Sequence, residues 1–163
     1  MRLTLRTFVV TAMAMVASGR ASAQGVVAQR SLSLGMAKTI AEATIAACKA
    51  KGFHTAAAVV DRAGQVLVIL RDEETPAQTA EMARRKAYTA RMFNITTLEF
   101  QKRTEDPTRA PQRQIADILA LGGRVPIQIG TDTIGAVASS GSNQESDDAC
   151  AKAGIAKVAD LLK

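Results

Sequence analysis

The sequence predicts an α+β domain, a three-layer α-β-α sandwich. A central, mostly antiparallel sheet of four to five strands carries helices above and below it. Three observations lead there. The periodic segments run helix, two strands, helices, two strands, helix. Both strand pairs are joined by tight turns, Asp61-Arg-Ala-Gly64 and Gly130-Thr-Asp132, so they read as hairpins and exclude a parallel dinucleotide-binding sheet. The segment Val66-Leu-Val-Ile-Leu70 is apolar on both faces and demands cover on both sides.

Each element has a local reason. Residues 24–31 are a polar lead-in, and Ser33 is a helix N-cap. Ala37, Ile40, Ala41, Thr44, Ile45 and Cys48 then form one stripe of a helix that reaches about Lys51 and stops at Gly52. Met36, near the start of this helix, reads as core. Strands follow at 54–61 and 65–71, with Asp61 shaping the turn between them. Pro76 opens a helix to about Phe93, in which Ala80, Ala83, Ala87 and Ala90 make a small-residue stripe. Residues 94–110 read as a polar irregular loop, and a short helix is expected from Pro111 to Leu121. Strands 125–129 and 133–139 follow, with a fifth strand conceivable at 119–124. The last helix opens on Gln144, Glu145, Asp147 and Asp148 and carries the stripe Cys150, Gly154, Val158, Leu161.

The first 23 residues are set apart from this domain. Arg2 and Arg6 form a positive end, Phe8 to Ala17 an apolar stretch, and Ala21-Ser-Ala23 a small-x-small cleavage site. That is the pattern of a secretory signal peptide, and the apolar run is too short to span a bilayer. The expected organisation is therefore a cleaved leader, 1–23, and one domain, 24–163, in the periplasm of a bacterium, without stable membrane insertion. The formal charge of +6 falls to +3 once the three arginines of the leader are removed. With one Tyr and no Trp as well, nucleic acid is not an expected partner.

Five segments in register carry a resemblance. They are Ala37-Lys-Thr-Ile-Ala-Glu-Ala43, Ala58-Val-Val-Asp-Arg-Ala-Gly-Gln-Val-Leu67 closing on Arg71-Asp72, Lys86-Ala-Tyr-Thr-Ala90, Gly122-Gly-Arg-Val-Pro-Ile127, and the run from Gly135 through Ser140-Gly141 to Asp147-Asp-Ala-Cys150 and Gly154. Together they resemble the GlcG/HbpS-type haem-binding-protein family over about residues 32–163. The family turn is richer in glycine and has Gln before its Asp, where this chain has Asn143, Gln144 and Ser146.

The resemblance implies a profilin-like sandwich with the terminal helices on one sheet face. It implies haem or a related tetrapyrrole, bound non-covalently, as the ligand of a homo-oligomer. No other cofactor is expected. Residues implied for the ligand site are Arg71, Lys86, Thr89, Ser140, Gly141 and Asp147, with Lys86 facing a carboxylate such as a propionate or an acidic substrate or, equally, lying on a solvated face or in a structural ion pair. The implied packing of terminal helices brings Cys48 towards Cys150, either as a disulfide or as two buried thiols.

His54 is the only histidine and a candidate axial ligand or base, or else a solvent-facing residue at a strand edge. Met82, Met92 and Tyr88 are weaker axial candidates that read more simply as packing. Without CxxC or a Cys/His cluster, neither zinc nor covalent haem is expected. The absence of GxSxG, HExxH, P-loop and GxGxxG patterns leaves the catalytic residues unknown. Two other readings stay open: an enzyme or accessory acting on a small carboxylate metabolite, and a structural oligomerisation module.

Overall fold

The computed structural model describes residues 25–163; the expected leader, 1–23, lies outside them. Helix α1 spans Leu34–Lys49, with Ser33 Oγ accepting from Met36 N at 3.2 Å. Strands β1 (Ala56–Val60) and β2 (Val66–Arg71) form the first hairpin, and α2 (Gln78–Phe93) follows. Helix α3 spans Thr97–Arg103. The second hairpin is β3 (Arg124–Ile129) and β4 (Asp132–Ser140), and α4 is Gln144–Ala156.

The four strands are antiparallel in the order β2-β1-β4-β3. Successive side chains of a strand point to opposite faces, and β1 shows the consequence. Ala57 and Val59 join Ile40, Ala41, Ile127, Val137 and Ala151 under α1 and α4. Ala56, Ala58 and Val60 join Ala83, Ala87, Ala90, Ala136 and Ala138 under α2. The α2 side is almost all alanine, so helix and sheet backbones lie close. The α1/α4 side holds the larger side chains, each contributing about 1.5–3 kcal/mol on burial. Helices α1 and α4 also pack on each other, and Cys48 is bonded to Cys150 across that contact with Cα atoms 5.4 Å apart. Gly154 sits in the same contact, where a methyl group would lie 2.7 Å from Ile40 O.

The structure departs from the sequence reading at five places. Residues 97–103 are helical where an irregular loop was expected. A capping box explains it: Thr96 accepts from Glu99 N while Glu99 accepts from Thr96 N. The expected helix from Pro111 to Leu121 shrinks to a 3-10 turn, Ala110–Gln114, and Asp117 takes φ +66°, which no helix continues through. No fifth strand is present among the described residues, since β3 begins only at Arg124. In addition, β2 is an edge strand rather than a fully covered one, and Val66 and Ile69 are exposed. At the C-terminus, Val158 is buried but Leu161 is 66% exposed, so the stripe ends one turn earlier than its spacing implies.

Candidate functional site

The end of β4 and the start of α4 build a buried ionic cluster. Asn143 caps α4 through Ser146 N at 2.8 Å, which fixes the first turn and turns Asp147 inward. Asp147 Oδ2 accepts from Lys86 Nζ of α2 at 3.0 Å. Its Oδ1 accepts from Ser142 Oγ at 2.8 Å and from Ser142 N and Ser139 Oγ at 3.2 Å. Lys86 Nζ donates a second bond, to Ser139 O at 3.0 Å. Both side chains are almost wholly buried. Burial pushes the Lys86 ammonium below its usual value, although Asp147 pulls the other way. Ser139 Oγ also lies 3.6 Å from Cys48 Sγ, so the cluster abuts the disulfide.

The neighbouring strand adds a second cation. Arg124 is fully buried, donates from Nη1 to Leu119 O at 2.9 Å, and holds its guanidinium 5.0 Å from the Phe100 ring centre. Burial pushes it down to about 9, and it stays charged at neutral pH.

These contacts place several of the expected ligand residues in the interior. Lys86 and Asp147 satisfy each other in the interior, so Lys86 is not presented to solvent as an anchor. Its neighbours in sequence point elsewhere, Arg84 to Glu81 and Asp117, and Arg85 to Ile118 O. Thr89 is also internal: its hydroxyl donates to Arg85 O and accepts from Leu119 N, tying α2 to the segment before β3. Ser140 is buried opposite Ala56. Gly141 has φ +140°, and a Cβ there would lie 2.5 Å from His54 O. The close approach this glycine permits is to the chain's own β1 entrance.

Arg71 and His54 lie at that same end of the first hairpin, linked through Thr75, which accepts from Arg71 and donates to His54 O. A concavity of about 340 Å³ lies between α1 and β2, with Ile45, Ala46 and Leu70 beside Lys49, Arg71, Glu42, Asp72 and Glu73. Arg71 Nη1 donates to Thr75 O. His54 is about one-third exposed, with Nδ1 3.3 Å from the buried Asp72 carboxylate and Nε2 3.1 Å from the exposed Glu74. The Nδ1 contact is out of line and completes no hydrogen bond. Lys49 Nζ reaches the same Asp72 carboxylate at 3.5 Å. Burial raises the Asp72 carboxyl, but Glu74 N–H, His54 and Lys49 together outweigh it and hold the group below its usual 3.8.

The sign of that shift gives an expected result. A carboxyl with a folded-state value below its unfolded one stabilises fully above about pH 3.8, and the contribution is lost as pH falls through the lower folded value. Urea unfolding between pH 6 and pH 2 is expected to show an acid loss that Asp72→Asn makes shallower.

Sequence reading did not single out Arg124 or Lys49 for this geometry. Arg124 alone left a signal, a charge inside the otherwise apolar start of a strand. No group of His, Cys, Asp and Glu among the described residues is arranged to hold a bare metal ion.

A family model described as "Haem degrading protein HbpS-like" matches residues 32–156. The chain belongs to the HbpS-like family. A solved HbpS structure is 32% identical with a TM-score of 0.77, covering 81% of this chain and 93% of that one. A double mutant of HbpS from Streptomyces reticuli is 30% identical with a TM-score of 0.78, covering 90% and 97%. The PduOC–haem complex shares the fold at 21% identity and a TM-score of 0.71, covering 78% and 95%. No curated protein matches significantly. The HbpS-like fold is thus an α+β four-stranded antiparallel sheet in which the terminal helices share one face.

Proposed function

We propose that this HbpS-like chain is an exported protein that binds haem or a related tetrapyrrole non-covalently. The observation that carries the reading is the match to HbpS at 32% identity over 93% of that chain, within a family described by haem degradation. The PduOC relative in complex with haem supports the same ligand class for the fold. Export is supported by the leader pattern of residues 1–23 and by the buried Cys48–Cys150 bond, which suits an oxidising compartment.

The α1/β2 concavity fits a tetrapyrrole better than the buried cluster does. Ile45, Ala46 and Leu70 offer apolar surface to the ring, and Arg71 offers a cation to a propionate. Lys49 is shared with Asp72, which leaves Arg71 as the principal anchor. His54, which contacts the lining residue Asp72, would be the imidazole donor to the iron, and its Nε2 faces the exposed Glu74. Bound haem would supply redox chemistry at the iron; this chain would supply the apolar surface, the anchoring charge and the axial donor. At about 340 Å³ the concavity is near the small end of ligand pockets, about 300–1,000 Å³, so a tetrapyrrole would overhang it. The adjoining edge strand β2, with Val66 and Ile69 exposed, is where a second copy would complete the cover.

The test is a hemin titration of the purified protein followed at the Soret band, with albumin as the non-specific control. A saturable shift near one haem per subunit or per pair of subunits is expected, weakened by Arg71→Ala and spectrally altered by His54→Ala. A weak response that never saturates would refute haem binding and favour a small-acid ligand. The family description favours a second reading, haem breakdown. Loss of the Soret band with time under ascorbate, with catalase present, would separate turnover from binding alone.

A further inference from the structure

Arg124 has one guanidinium edge unused. Nη1 serves Leu119 O, while Nε and Nη2 are buried without any hydrogen-bond partner. Those two N–H groups lie side by side on the guanidinium and match the two oxygens of a planar carboxylate. The charge is unmatched as well. Asp147 is committed to Lys86, and no acidic side chain among the described residues forms an ion pair with Arg124. Residues 1–24 contain no Asp or Glu, so all 15 acidic residues lie in the described part of the chain. A buried cation without an anion is strongly unfavourable. Here two buried cations, Lys86 and Arg124, stand near a single buried carboxylate, and each raises the cost of the other.

The Phe100 ring stacks against the guanidinium that carries this edge. Phe100 comes from α3, a seven-residue helix that packs chiefly on α2. A short amphipathic helix of this kind opens at lower cost than the sheet beneath it.

We propose that the Nε/Nη2 edge of Arg124 is a binding site for a small carboxylate, closed over by Phe100 and α3. The carboxylate neutralises the second buried cation and completes the hydrogen bonds of the guanidinium. Its source is either a free small acid or a propionate of a bound tetrapyrrole. The site does not depend on the haem reading.

The test uses purified, extensively desalted protein. Melting temperature is followed against sodium acetate, with sodium chloride and phosphate at matched ionic strength, alongside Arg124→Lys and Arg124→Gln. A ligand that binds only the folded state raises melting temperature continuously with concentration above its Kd. The expected result is an acetate response beyond that of chloride, lost in Arg124→Lys, which keeps the charge but not the fork. Calorimetric titration of the wild type with acetate gives the same answer if neither variant folds. No acetate-specific binding to wild type, or an undiminished response in a folded variant, would overturn the proposal. Hemin and its dimethyl ester separate the sources: competition with acetate by hemin alone points to a propionate, and by neither to a free acid. A protein that binds acetate but not hemin would keep this site and refute haem binding.

Discussion

Breaking the Cys48–Cys150 bond is expected to cost about 3–5 kcal/mol of unfolding free energy. The two cysteines are 102 residues apart, and a closed loop of that length restricts the unfolded chain by about 4.7 kcal/mol in the chain-entropy account. The native state has little to lose directly. Both cysteines are fully buried between α1 and α4, and alanines or free thiols there would still be small and apolar. The loss therefore falls on the unfolded ensemble. The check is urea unfolding of wild type with and without a phosphine reductant, and of Cys48→Ala/Cys150→Ala without it. The double variant and the reduced wild type are expected to share one lowered midpoint. A difference below about 1 kcal/mol would show that helix packing, rather than the bond, holds the termini together. The burial also implies slow reduction in the native state, because the bond is reached only after α1 and α4 part.

How much of this was legible in the sequence depended on whether the deciding contact was local. Ser33 and the α1 stripe, the Asp61 turn and the Asn143 region are set by neighbours in the chain, and their elements fell close to their expected ends. The α3 helix was legible too, since Thr96 and Glu99 spell a capping box, but its polar surroundings masked it. The apolar β2 segment was misleading for a different reason. Its side chains satisfy the rule for a central strand, yet strand order is fixed by the whole topology, and β2 ended at the edge. The site was least legible. Nothing local distinguishes a lysine that faces a ligand from one that faces Asp147, 61 residues away. The motif marked Lys86 and Asp147 as special, and the fold shows that they answer each other. Arg71 and His54 are brought to one end of the hairpin because β1 pairs with β2 in a register that sets Ala56 against Arg71.

Replacing Asp147 by Asn is expected to destabilise the fold by about 3–5 kcal/mol, the range for stripping one partner from a buried ion pair. Four donor groups converge on this carboxylate: Lys86 Nζ, Ser139 Oγ, Ser142 N and Ser142 Oγ. An amide accepts through one oxygen only, and its NH2 faces groups that themselves donate. Lys86 would retain Ser139 O but lose the only carboxylate it contacts, with Arg124 still nearby. Lys86→Met is expected to cost a similar amount from the other side, since Asp147 would stay buried and charged with neutral donors alone. The informative variant is the double one, Lys86→Met/Asp147→Asn. If the two groups act mainly on each other, its loss is smaller than the sum of the single losses by about 1–3 kcal/mol. Urea midpoints at constant slope measure all three. Additive losses would mean that each residue serves its own surroundings, and the cluster would then be two independent sites sharing a wall. A strongly sub-additive result would mark the pair as the internal clamp that joins α2 to the β4–α4 turn. It would also set the pair apart from Arg124, a buried cation that forms no ion pair among the described residues.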